Sequence, residues 1–206
     1  LCGNNTPMKI FFIRHGETTG DIENRYGGAY DDHLSEKGKA ESATLATKLQ
    51  DKNIEVIFSS PLLRAEETAK FISEKVGCEI IIEPNIRERN QYGVLTGMVV
   101  EEAKEKYPEY VELLKDKYNT IEGAESYEDF NERITEAFNK IINNSGNYNC
   151  IAIVFHGGPF RMLFREFLKW GEVDAIGNCA VVELEKENDE FHWINSDGIE
   201  PLFNIS

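Results

Sequence analysis

Cysteine is scarce and unpaired in this chain. Cys2, Cys78, Cys150 and Cys179 lie far apart, with no C-x-x-C or similar spacing, which excludes a zinc ribbon or a thioredoxin-type motif and reads as free thiols in a reducing, cytoplasmic compartment. Positive charge is short as well: 22 Lys and Arg face 37 Asp and Glu, a net −15. Phosphate backbones and anionic lipid repel such a chain, so no nucleic acid and no membrane is expected as a partner. No apolar run approaches the ~20 residues of a membrane helix; stretches such as Ile151 to Phe155 are typical. Repeats and low-complexity segments are missing, and the 6 Pro and 16 Gly are scattered at element boundaries, so no linker divides the chain. Leu1 to Pro7 is short and polar and precedes Met8 at the first apolar run; it reads as an extension outside the fold, with no secretory leader.

What is present is enough apolar material for one core: 41% hydrophobic and 11% aromatic residues in 206. Strand-like runs occur at 10–13, 54–58, 79–82, 151–155, 180–184 and 191–194; the first and fourth are apolar throughout and the second is apolar but for Glu55, as strands buried on both faces are. Helical stripes lie between them. Ala40, Ala43, Ala46 and Leu49 form one; Ala65, Ala69, Ile72 and Val76 form another, with Ser60 as N-cap, Pro61 at the first position and Gly77 at the end. Phe130, Ile134, Ala137 and Ile141 follow Ser126 and Asp129, while Phe160, Leu163, Phe164, Phe167 and Leu168 follow Pro159. The alternation predicts a three-layer α/β/α fold with a mostly parallel central sheet, one domain over 8–206. Val99 to Glu125 breaks the rhythm with charged helices around Pro108 and predicts a small helical cap insertion at about 94–125.

In open α/β sheets ligands bind beyond the carboxyl ends of strands. After the first strand stands Arg14-His15-Gly16-Glu17-Thr18, after the second Ser59-Ser60-Pro61-Leu62-Leu63-Arg64, and after the fourth His156-Gly157-Gly158. Each taken alone reads equally well as a turn or a surface ion pair. Together they bring two His and two Arg to one rim, a set suited to a phosphate dianion, because guanidinium donates in pairs and imidazole attacks phosphorus or donates to its oxygens. Of the other histidines, His33 reads as a solvated residue in an acidic turn and His192 as a structural residue of a late strand.

At these residues the sequence resembles the histidine phosphatase superfamily, phosphoglycerate-mutase-like branch, from Lys9 to about Leu184. Four motifs stand in family order: Arg14-His15-Gly16-Glu17-Thr18 with Arg25, Gly28 and Leu34-Ser35-Glu36-Lys37-Gly38; Ser59 to Ala65 with Thr68-Ala69; Arg87-Glu88 with Tyr92-Gly93; and His156-Gly157-Gly158. Glu125-Ser126 and Asn178 fit as well. The resemblance implies phosphoryl transfer through a phosphohistidine on His15, charge neutralisation by Arg14, Arg64 and His156, and Glu88 as acid and then base. Asp21, Gly27 and Gly157 are the expected substrate-binding positions. No metal and no cofactor is called for. The chain departs from the family pattern at Asp21, where Asn is usual, at the spacing from Glu88 to Tyr92-Gly93, one residue longer, and at Thr96, where many relatives carry an acid.

Three functions fit the motifs. The first is hydrolysis of small phosphomonoesters, the second is mutase-type phosphoryl transfer, and the third is phosphoester binding without turnover. A mutase needs extra cations for a carboxylated substrate, and the cap offers lysines without an Arg pair, which favours hydrolysis. Tyr107, Tyr110 and Tyr118 read as packing residues or as rings to stack on a substrate. Trp170 and the late strands fit core, edge or homodimer surface equally.

Overall fold

The computed structural model describes residues 7–202. In chain order the elements are β1 (Met8–Arg14), α1 (Thr19–Ile22), α2 (Glu36–Leu49), β2 (Val56–Ser59), α3 (Leu63–Val76), β3 (Glu79–Ile82), α4 (Val100–Lys106), α5 (Pro108–Leu113), α6 (Tyr127–Asn144), β4 (Cys150–Phe155), α7 (Gly157–Met162), β5 (Val173–Glu187) and β6 (Glu190–Pro201). The strands form one sheet in the order β3-β2-β4-β1-β5-β6. β3, β2, β4 and β1 are parallel neighbours, and β5 and β6 add an antiparallel margin.

The mostly parallel α/β architecture predicted from the alternation is what the chain adopts. β1 alternates sides: Ile10 and Phe12 join α6 and α7 on one face, Phe11 and Ile13 join α2 and α3 on the other, all fully buried. On the first face Phe12 meets Phe138 and Phe155 edge-on at 5.6 and 5.3 Å, a geometry that sets ring edges against ring faces. α6 buries the stripe read from sequence, Phe130, Ile134, Ala137 and Ile141, plus Phe138; Ser126 caps it by accepting the Asp129 N–H at 3.0 Å.

Elsewhere the local reading needs correction. α2 buries Gly38, Ser42, Leu45, Ala46 and Leu49, while Ala40 and Ala43 face solvent. The reason is close packing: a Cβ on Gly38 would lie 2.0 Å from the Glu17 carbonyl, and the Ser42 hydroxyl bonds Thr68 at 3.3 Å. α3 starts at Leu63 rather than behind Ser60, and its first N–H donates to Asp31 Oδ1 at 2.7 Å, so an acid from another loop takes the cap's place. Gly77 does end α3, in the left-handed conformation at φ 80°. The helix after β4 begins at Gly157, before Pro159, and passes into a π-helical turn at Leu163–Phe167. The late strands are much longer than their apolar runs because antiparallel pairing continues through polar residues and register shifts. Trp170 stacks on Phe164 at 5.7 Å, at the edge of the core.

Between β3 and α6 lie α4 and α5 with an apolar cluster of their own, Leu95, Ala103 and Ile121. Tyr107 and Tyr110 stack on each other at 6.0 Å, and Tyr118 packs edge-on against Tyr127 at 4.9 Å. No helix of the described residues is long and apolar enough to cross a membrane.

Candidate active site

Register places the motifs together. β4 lies between β1 and β2; Arg14 stands beside Phe155, and Ser59 beside Val154, so the next residues of all three strands, His15, Ser60 and His156, emerge on one rim. The rings of His15 and His156 are 5.0 Å apart. The His15 backbone is pinned from both sides, its N–H donating to Phe155 and its carbonyl accepting from Cys179 at 3.1 Å. Cys179 makes that contact from the left-handed conformation, at φ 53°.

The ring of His15 has only one self-consistent tautomer. A carbonyl can only accept and a guanidinium can only donate. Nδ1 therefore carries the proton it gives to the Gly16 carbonyl at 2.8 Å, and Nε2 keeps a lone pair, which accepts from Arg64 Nε at 3.2 Å. Burial, then Arg64 and Arg14, hold the His15 pKa well below its ordinary 6.5. Burial, Arg64, His15 and Arg14 do the same for His156. Both imidazoles are neutral at pH 7.

Arg64 is 4% exposed, and its other N–H groups hold the site's frame: Nη1 donates to Tyr30 O at 2.6 Å and to Asp32 Oδ1 at 2.8 Å, and Nη2 to Gly28 O at 2.8 Å. Asp32, equally buried, accepts the Gly20 N–H with its second oxygen. Gly28 adopts φ 57°, and a Cβ there would lie 3.0 Å from both the Arg89 carbonyl and the Tyr92 ring, a close approach that needs glycine. Arg14 donates through Nη1 to the Ile176 carbonyl, and its Nε is buried with no hydrogen-bond partner among the described residues. Burial lowers the Arg14 pKa, and the charges of Asp21 and Glu88 oppose that shift.

Glu88 reaches the same rim from the loop after β3. Its Oε1 accepts the Arg89 N–H at 2.8 Å and its Oε2 the Gly158 N–H at 2.9 Å. Asp21 is exposed and closes a capping box with Thr18 at the start of α1. Gly27 has no neighbour within 4 Å of where a Cβ would sit, and Gly157 lies 3.9 Å from Arg14 Nε by the same measure. His33 is exposed and pairs with Glu67 at 2.6 Å; His192 is exposed on β6. The Thr96 hydroxyl donates to Asn90 at 3.0 Å.

Sequence reasoning gave no site role to Asp32, nor to Ser60, Thr68 and Gly158, although those three stand within its motifs. Ser60 Oγ lies 2.7 Å from His156 Nε2, and Thr68 Oγ1 accepts the Gly16 N–H at 3.2 Å. Asp32 sits in the acidic turn beside His33, and nothing in its own neighbourhood in sequence marks it as the partner of Arg64.

The chain matches the sequence model of the histidine phosphatase superfamily (branch 1) over residues 10–196. It is 33% identical over 159 residues to phosphoserine phosphatase 1 of Hydrogenobacter thermophilus, covering 76% of this chain and 74% of that protein. It is 29% identical over 178 residues to a metal-independent phosphoserine phosphatase of Arabidopsis thaliana, covering 84% and 74%. Its fold matches that of a mycobacterial glucosyl-3-phosphoglycerate phosphatase solved with VO3, at TM-score 0.78 and 22% identity over 97% of this chain and 100% of the other. With the family's sequence model spanning nearly the whole sheet and all three strand-end motifs, the chain belongs to the histidine phosphatase superfamily, branch 1.

Proposed function

We propose that this protein hydrolyses small phosphomonoesters in two steps, with His15 as the nucleophile. That it is a phosphoric monoester hydrolase of small phosphorylated metabolites follows from its family and from the phosphatases among its relatives. The covalent route rests on one observation above the others: a buried, neutral His15 whose Nδ1–H is held by a carbonyl, so that Nε2 carries no proton and its lone pair, which accepts from Arg64 Nε at 3.2 Å in the resting site, turns to phosphorus when that contact opens.

In the first step Nε2 forms a bond to phosphorus as the ester P–O bond breaks. Arg14, with its unpaired Nε–H, Arg64 and His156 offset the charge on the phosphoryl oxygens. Glu88, beside the Gly158 N–H, gives its proton to the leaving oxygen. In the second step the Glu88 carboxylate takes a proton from water as the water oxygen attacks phosphorus, the P–N bond breaks, and inorganic phosphate leaves. Asp21, Gly27 and Gly157 border the leaving-group side, and the segment at 94–125 caps the site. The neutralisation is done by guanidinium and imidazole, so chelator treatment leaves the rate unchanged. The cap lysines are spoken for: Lys104, Lys106 and Lys115 pair with Glu101, Glu102 and Glu112 at 2.6, 2.5 and 2.5 Å, and Lys117 with Glu172 at 3.5 Å. That supports hydrolysis over a mutase, which must also hold a substrate carboxylate. Free Cys78, Cys150 and Cys179 support a reducing, cytoplasmic setting, and the net −15 charge supports small molecules over nucleic acid as partners.

The test is phosphate release from a panel of small monoesters, phosphoserine included, with wild type, His15→Ala and Glu88→Gln. His15→Ala falls to background, a loss on the order of 10⁴-fold or more, and Glu88→Gln loses about 10²- to 10⁴-fold. Wild type quenched during turnover carries acid-labile, alkali-stable phosphate. Equal rates in wild type and His15→Ala remove His15 from the mechanism.

A further inference from the structure

Ser60 occupies the end of β2 under tight control. Its N–H donates to the Val154 carbonyl at 2.9 Å, its carbonyl accepts the Ser59 hydroxyl at 3.0 Å, and the residue is fully buried. Its Oγ accepts the Leu62 N–H at 3.3 Å and lies 2.7 Å from His156 Nε2. His156 is fully buried too, and its Nδ1 has no partner among the described residues. The ring beside it belongs to His15, the proposed nucleophile, 5.0 Å away.

A neutral imidazole has one N–H, and two arrangements of this pair are conceivable. If Nε2 carried the proton and gave it to Ser60, the serine hydroxyl proton would have no acceptor in reach. Nδ1 would then present a lone pair to the oxygens of an incoming phosphate. If the hydroxyl donates to Nε2, the serine uses both its acceptor and its donor capacity, and the ring proton moves to Nδ1. Buried polar groups take the arrangement that leaves the fewest unsatisfied. We propose that Ser60 is a positioning residue: its hydroxyl donates to His156 Nε2 and so sets the tautomer that offers the transferring phosphoryl group an Nδ1–H instead of a lone pair. This rests on the phosphoryl-transfer reading above, since His156 acts there as a hydrogen-bond donor. Ser60 itself touches no reacting atom; it acts through the ring.

The experiment combines side-chain ¹⁵N spectra of the histidines, on the full chain, with steady-state kinetics. In wild type His156 is protonated on Nδ1 and unprotonated on Nε2, and inorganic phosphate shifts the Nδ1–H resonance. Ser60→Ala releases the ring to a mixture of tautomers and lowers kcat about 10- to 100-fold, short of the ~10²- to 10³-fold cost of deleting an oxyanion donor outright. KM stays within about 3-fold. Ser60→Thr keeps the hydroxyl and restores both the tautomer and kcat to within about 3-fold. An Nε2-protonated His156 in wild type overturns the proposal, and so does a Ser60→Ala enzyme within 2-fold of wild-type kcat. If Ser60→Ala does not fold, the wild-type spectrum still decides. A wild type without turnover whose Nδ1–H still responds to phosphate would sink the hydrolysis and leave the tautomer assignment standing.

Discussion

At Gly158 the backbone has no room for a side chain. A Cβ there would lie 2.0 Å from Glu88 Oε1, and the Gly158 N–H is what holds the other oxygen of that carboxylate. Gly158→Ala therefore displaces Glu88 without touching His15. We expect kcat to fall about 10²- to 10⁴-fold, as for loss of a general acid, with Tm changed little because Ala is the better helix former in α7; a thermal melt beside the rate assay separates the two. Asp21 gives the opposite sign. Its carboxylate caps α1 through the Thr18 N–H at 3.0 Å while adding negative charge that acts on Arg14. In Asp21→Asn the side-chain oxygen keeps the cap and the charge goes, so KM for phosphomonoesters falls about 2- to 10-fold, the scale of one charge acting through a high effective dielectric. An unchanged KM would mean that Asp21 is a cap and nothing more.

The elements that carry these residues are held by ordinary devices. α6 covers one face of the sheet, and Phe138, 1% exposed, meets Phe12 and Phe167 edge-on. Phe138→Ala costs about 3–5 kcal/mol by the usual cost of removing a core ring, read as a drop in urea midpoint with unchanged slope. Ser35 caps α2 by accepting the Gly38 N–H at 2.9 Å and donating to Glu17 at 2.8 Å. Ser35→Ala costs about 1 kcal/mol. Since α2 packs behind Gly16 through Gly38 and Ser42, the site keeps its activity only while that helix stays docked.

Across the whole molecule the two buried imidazoles give stability a pH dependence of definite sign. Folded His15 and His156 titrate below 6.5, whereas in the unfolded chain each takes up a proton near that value. Below pH 6.5 the unfolded state thus binds more protons. The stability fully present above that pH is lost as pH falls toward the folded values, at up to ~1.4 kcal/mol per pH unit for each ring. Exposed His33, raised by Glu67, works the other way: its contribution is complete below 6.5 and fades as pH rises through its folded value. Urea unfolding at pH 7.5 and 5.5 measures the balance, and His156→Gln should flatten the dependence.

The strands β1, β2 and β4 were legible because both their faces are covered, so their centres, residues 10–13, 56–58 and 151–155, are apolar and rich in β-branched and aromatic residues; α6 was legible because its stripe and its Ser126 cap are local. For the same reason the strand-end motifs carrying Arg14, His15, Arg64 and His156 were found: short spacing and strand position are properties of sequence. What the linear pattern misread was decided at a distance. Ala43 lost the buried face of α2 to Ser42 because Thr68 waits on a neighbouring helix, and Ser60 left the cap of α3 for His156, 96 residues away. Asp32 became the anchor of Arg64 across 32 residues, with no signal in its own turn. Periodicity and propensity report forces acting within a few residues. The tautomer of a ring, the partner of a buried guanidinium and the helix end that receives Glu88 depend on groups brought together only when the sheet closes.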